Sequence, residues 1–159
     1  MSGNAHEALR PVEEDVRIPG VGLRRVQLVY APSFEAGFSW DIRVLDGEFL
    51  LYRSDVVTQQ WRMLLRGYCR LDFESGRLED YWGRLRALCL GVSPIYNGMA
   101  GADGTDYQLA LFGDLSTAIR FTWWSDYSGE WTDLVRIADE MLDDFRRAWE
   151  LPADAGTTR

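Results

Sequence analysis

The chain has 159 residues, of which 47% are hydrophobic and 26% charged, and a formal net charge of −8; this is one domain's worth, with enough apolar content for a core that needs no disulfide or metal staple. All 17 basic residues are arginine and the only histidine is His6. Schiff-base lysines and a Walker A lysine are thereby excluded, and triads, Cys–His dyads and histidine metal sites lack their central residue unless the N-terminal tail folds back into a cleft.

Residues 1–20 carry Pro11, Pro19 and Gly20 among acids and read as a flexible arm. The globular domain is expected over 21–150, with 151–159 as a disordered tail. In "RRVQLVYAP" Val26, Leu28 and Tyr30 alternate as a strand stopped by Pro32. "FSWDIRVL" sets Phe38, Trp40, Ile42 and Val44 on one face and Ser39, Asp41 and Arg43 on the other. Asp46-Gly47 predicts a tight hairpin, because both central positions tolerate positive φ, and "EFLLYRS" returns as its partner strand.

Residues 54–71 fit strand or helix; the long alternation and Gly67 favour strand. In either form Arg62, Arg66 and Arg70 fall on one stripe, which could receive an anion or pair with the protein's own acids. From Ser75, Leu78, Tyr81, Trp82, Leu85, Leu88 and Cys89 recur at helical intervals up to Gly91. Cys69 and Cys89 both sit in apolar patterns and read as buried thiols.

"GMAGADG" is a glycine-rich turn, and "TDYQLALFG" and "STAIRFTWW" alternate as a hairpin around Gly113-Asp114. Ser128 is the expected N-cap of a last helix whose apolar face carries Trp131, Leu134, Val135, Ala138, Leu142, Phe145 and Trp149. The predicted fold is α+β: a single antiparallel sheet of about five to six strands with two helices packed on one face.

The chemistry-bearing candidates are few. Asp103, Asp106 and Asp114 lack the further spaced acids and closing glutamate of a calcium loop and read as turn residues. No hydrolase elbow, dinucleotide fingerprint, zinc motif or Cys-x-x-Cys occurs, so no catalytic residue, metal or cofactor is assigned. Charge is the stronger signal: Gly101–Phe145 holds ten acids against Arg120 and Arg136. That polarity disfavours nucleic acid and favours a basic protein partner. No apolar run approaches the length of about 18 residues that spans a bilayer, and the start "MSGNAHEALRPVEEDVR" lacks the features of a secretory leader. No membrane partner and a cytoplasmic location are expected; the sequence leaves the oligomeric state open.

In "FTWWSDYSGEW" Trp123 points to the core face and Trp124 to the polar face, where it is either covered by a loop or free to touch a partner. The segment "GADGTDYQLALFGDLSTAIRFTWWSDYSGEWTDLVRIADEML" resembles a pattern in small acidic bacterial proteins of the toxin-immunity kind: Asp103-Gly104 leading into a Tyr107 strand, an aromatic strand ending in Trp123-Trp124, then a helix begun by Trp131. The resemblance implies a non-catalytic inhibitor that occludes a basic toxin or effector, and carries over no active site. The expected partner-binding residues are Trp124, Asp126, Tyr127, Asp133, Asp139, Glu140 and Asp143. Two alternatives stand beside it: a ligand-binding or enzymatic pocket on the open sheet face lined by Asp41, Arg43, Arg120 and Trp124, or a structural subunit of a larger assembly.

Overall fold

The computed structural model describes residues 10–11, 17–18, 20–59, 62–91, 104–114, 117–125 and 129–150. Six long strands build one antiparallel sheet: β3 (Gly22–Pro32), β4 (Gly37–Leu45), β5 (Glu48–Gln59), β6 (Arg62–Leu71), β7 (Thr105–Phe112) and β8 (Ala118–Trp124). Two short strands fall within the stretch read as an arm. They are β1 (Arg10–Pro11), which pairs with Leu65 and Leu64, and β2 (Arg17–Ile18), which pairs with Leu23 and Gly22. The path across the sheet is β1-β6-β5-β4-β3-β7-β8. Helices α1 (Ser75–Arg86) and α2 (Thr132–Glu150) complete the α+β fold.

The alternation in β4 drives the layering. Trp40 and Ile42 pack with Val26, Leu28, Leu51, Leu109 and Trp123 into a core closed by Leu78, Tyr81 and Leu85 of α1 and Leu134, Ile137, Ala138, Met141, Leu142 and Phe145 of α2. Asp46 and Gly47 take φ of 51° and 86° at the β4–β5 turn, the geometry that short Asp-Gly hairpins require. Residues 54–71 are strand throughout their described length, running out along β5 and back along β6.

Two irregularities break the alternation. On β3 Arg24 pairs with Arg43 and Val26 with Ile42, so Arg25 is an extra residue. On β6 Cys69 pairs with Arg53 but Arg66 with Asp55, so Gly67 and Tyr68 face Ser54 alone, and Gly67 adopts φ of 71°. Each bulge shifts parity by one residue, and every side chain beyond it changes face. Arg66 thus shares Asp55's side of the sheet while Arg70 shares that of Tyr52, and the single arginine stripe predicted for Arg62, Arg66 and Arg70 is split. Cys69 and Cys89 are exposed free thiols, not buried ones; Cys69 is turned out at the sheet edge by the same bulge, and Cys89 lies beyond the last turn of α1.

Candidate functional site

On the side of the sheet away from the helices, the bulge at Arg25 swings Arg24 out of the apolar alternation and places it across from Arg43. The bulge at Gly67 does the same for Tyr68. Both side chains converge on Asp41 of the central strand. Its Oδ2 accepts from Arg24 Nε at 2.8 Å, Arg43 Nη2 at 3.2 Å and the Tyr68 hydroxyl at 3.0 Å. Arg43 Nη1 also donates to the Gly22 carbonyl at 3.0 Å, and Tyr68 stacks on Tyr52 with ring centroids 4.8 Å apart. Arg24, Asp41 and Arg43 are buried, as are Gln27 and Ser39 beside them. Burial, then the Asp41 charge, raise the Tyr68 phenol far above its ordinary value, so it stays a neutral donor to Asp41.

The four residues expected to line an open pocket are therefore not together. Asp41 and Arg43 are locked in this network. Arg120 sits three strands away along the row Arg120–Ala110–Gln27–Asp41 and is exposed. Trp124 lies opposite Asp106, half-buried under Gly104, where a Cβ would overlap its indole. That corner is pinned by Ser33, whose N–H and hydroxyl both donate to the Gly104 carbonyl (3.0 and 2.9 Å), and by paired bonds between Thr105 and Ser125. The loop-covered reading of Trp124 is the one the geometry supports. Asp106 and Asp114 lie at opposite ends of β7, and Asp114 pairs with Arg25; burial raises the Asp106 carboxyl above its ordinary value. Among the described residues no group of three acids, cysteines or histidines could hold a metal.

The acidic helix sorts into two sets. Toward α1 its carboxylates are clasped: Glu140 by Arg84 at 2.7 Å and Arg136 at 3.0 Å, Asp133 by Arg136 at 3.3 Å, and Asp144 by Arg77 at 3.1 Å, the Tyr81 hydroxyl at 2.6 Å and Arg147 at 2.9 Å. The Arg84 bond, with the Arg136 charge, holds the Glu140 carboxyl below its ordinary range. Arg147, four residues after Asp143, meets the Asp144 side chain and only the backbone carbonyl of Asp143.

Asp139 and Asp143 form the second set. Both are exposed, one helical turn apart, and neither makes an ion pair with any described residue. Partial burial and the neighbouring Asp143 charge raise the Asp139 carboxyl above its ordinary value. The Asp139 charge in turn adds to burial and Tyr30 in raising the Tyr107 phenol, so this acid pair borders the sheet's aromatic row. In that row Tyr30 meets Tyr107 edge-on at 5.7 Å and Tyr107 stacks on Trp123 at 5.5 Å. Arg146 lies over Tyr30 at 4.4 Å. Two strands on from Tyr30, Arg53 of β5 is held between the rings of Phe38 and Trp149, at 4.0 and 3.9 Å.

Of the residues expected to bind a partner, Asp133, Asp139, Glu140 and Asp143 share α2, while Trp124 sits on the opposite side of the sheet. Asp126 and Tyr127 lie outside the described residues, as do Asp103, the Ser128 cap and His6. Sequence reasoning missed Arg24, Tyr68 and the aromatic row; the one local signal for Tyr68 was the glycine before it. No helix among the described residues is long and apolar enough to cross a membrane. The chain matches no family model, no curated protein and no solved structure.

Proposed function

We propose that the chain is a non-catalytic cytoplasmic binding protein of the immunity kind, which neutralises a basic toxin or effector by covering it with the outer face of α2. The observation that carries this reading is the Asp139–Asp143 pair. Like charges four apart destabilise a helix by about 0.2–0.5 kcal/mol, and no arginine among the described residues makes an ion pair with either of them, although Asp133, Glu140 and Asp144 on the same helix are all clasped. A cationic side chain from a partner would relieve that repulsion. Half-exposed Tyr30 and Tyr107 and the flanking Arg146 supply the residue types that dominate protein interfaces. The concentrated negative charge would speed encounter with a basic protein by steering.

The test is capture from the source cell's lysate at low and high salt, comparing the natural chain with the double variant Asp139→Arg/Asp143→Arg. A basic protein retained at low salt by the natural chain and lost with the variant supports the reading. A partner held equally by both removes this face of α2 from the interface.

A second reading keeps the open side of the sheet. Asp41 Oδ1 and Gln27 Oε1 are buried acceptors on facing residues, and neither accepts a hydrogen bond from any described residue. Buried acceptors of this kind normally have donors, so a small molecule bearing N–H or O–H groups would suit them. Calorimetric titration with amides, polyols and amino acids tests this; no heat from any of them would discard it.

A further inference from the structure

The two long edges of the sheet are built differently. The β6 edge carries exposed Arg62, Arg66 and Arg70, is bent by the Gly67 bulge, and is partly covered by β1 with its proline. Arginine, bulge and proline are the usual means of keeping a sheet edge from pairing with another chain. The β8 edge has none of the three except Arg120. It runs seven residues in unbroken register with β7, from Trp124 opposite Asp106 to Ala118 opposite Phe112. Among the described residues no strand pairs with its outer side. Ala118, Ile119, Arg120 and Thr122 are exposed, Ile119 by 59%.

We infer that β8 is a self-association edge, pairing antiparallel with β8 of a second copy to make one continuous sheet. A two-fold axis perpendicular to the sheet keeps both copies' helices on the same side, so facing residues must share parity and the axis must pass through a residue. Centred on Arg120 it would set two arginines directly against each other, which is destabilising. Centred on Phe121 it pairs all seven residues, with Arg120 facing Thr122, Ile119 facing Trp123, and Ala118 facing Trp124. No like charges meet, the two tryptophans stand against Ile119 and Ala118, and Phe121 meets Phe121 of the second copy. The exposed Ile119 is then covered by the partner copy, on the side of the sheet that carries the core. A second copy is favoured over an unrelated strand because this strand is its own complement in charge and size in that register.

The experiment uses the full chain. Sedimentation equilibrium from micromolar to millimolar concentration should give twice the 18.2 kDa chain mass, returning to a single chain mass in Ile119→Lys, a change at an exposed position. Register is read by disulfide trapping in a Cys69→Ser/Cys89→Ser background: mixed Arg120→Cys and Thr122→Cys chains should cross-link, and Arg120→Cys alone should not, since like positions then lie beyond the roughly 7 Å reach of a disulfide. A single chain mass at every concentration overturns the inference. So does a dimer that survives Ile119→Lys and yields no mixed cross-link.

Discussion

Asp41→Asn is the sharpest probe of the network on the open side of the sheet. The substitution keeps the size of the side chain and one oxygen acceptor, removes the charge, and turns the other oxygen into an NH2 donor. Two buried guanidinium groups, Arg24 and Arg43, then face each other across β3 and β4 without the carboxylate between them. Removing one partner of a buried ion pair costs about 3–5 kcal/mol. The Tyr68 bond survives as a neutral one, weakened from about 1.5–3 to about 1 kcal/mol. A loss near 4 kcal/mol is expected, out of a total of about 5–15 for a domain of this kind. For a chain of this length that lowers Tm by roughly 8–16 °C. Urea unfolding followed by tryptophan fluorescence measures it, and a cycle with Tyr68→Phe should show a coupling of at least about 0.5 kcal/mol. A change below about 1 kcal/mol, the size of an ordinary surface substitution, or strict additivity with Tyr68→Phe, would refute the claim that Asp41 holds this face together.

Gly67→Ala should cost about 1–2 kcal/mol from its left-handed backbone alone, because a Cβ there meets no atom within 4 Å; an unchanged urea midpoint would mean the bulge relaxes. Trp149→Ala should lose about 0.5–2 kcal/mol by removing one ring from Arg53, with Trp149→Phe keeping most of it. Asp139→Asn should stabilise the protein at neutral pH. The folded carboxyl has a raised pKa, so its penalty is complete when both states are ionised and disappears as pH falls through the folded value toward the ordinary 3.8. Thermal melts across that window should show the two proteins converging; a gap that widens on acidification contradicts the sign. Glu140, whose carboxyl is lowered from 4.5, contributes in the opposite sense, its support lost only as pH falls below that value.

Much of the fold was legible because its signals are local. The Asp46-Gly47 turn, the inward set of β4 and the apolar face of α2 depend on residues a few positions apart, and the structure places them as read except for Trp149, which is 46% exposed and covers Arg53 rather than entering the core. Ile137 and Met141 widen that helical face beyond the predicted set. What escaped were facts of register. Alternation counts parity along a strand, so one extra residue at Arg25 or Gly67 carries Arg24 and Tyr68 to the opposite side with no change in composition. Strand order is equally remote from local sequence: Arg43 and Arg120 point to the same side, yet β3 and β7 stand between their strands. The clasping of Glu140 and Asp144 by arginines of α1 was hidden for the same reason, and with it the distinction between those paired acids and Asp139 and Asp143, which have no ion pair with a described residue.

Strand β3 has a consequence in time as well as in space. Along one side Gln27 meets Asp41 of the next strand in sequence; along the other it meets Ala110, on the far side of α1. The first seam closes by a short turn and belongs to a meander that continues through β5 and β6. The second must wait for a long loop to close, at a greater entropic cost. Topology of this kind places the β3–β6 meander early in folding and the docking of β7 and β8 late. Until β7 arrives, β3 is itself an open edge bearing Val26, Leu28 and Tyr30, so the interval before that docking is when the nascent chain is most exposed to aggregation.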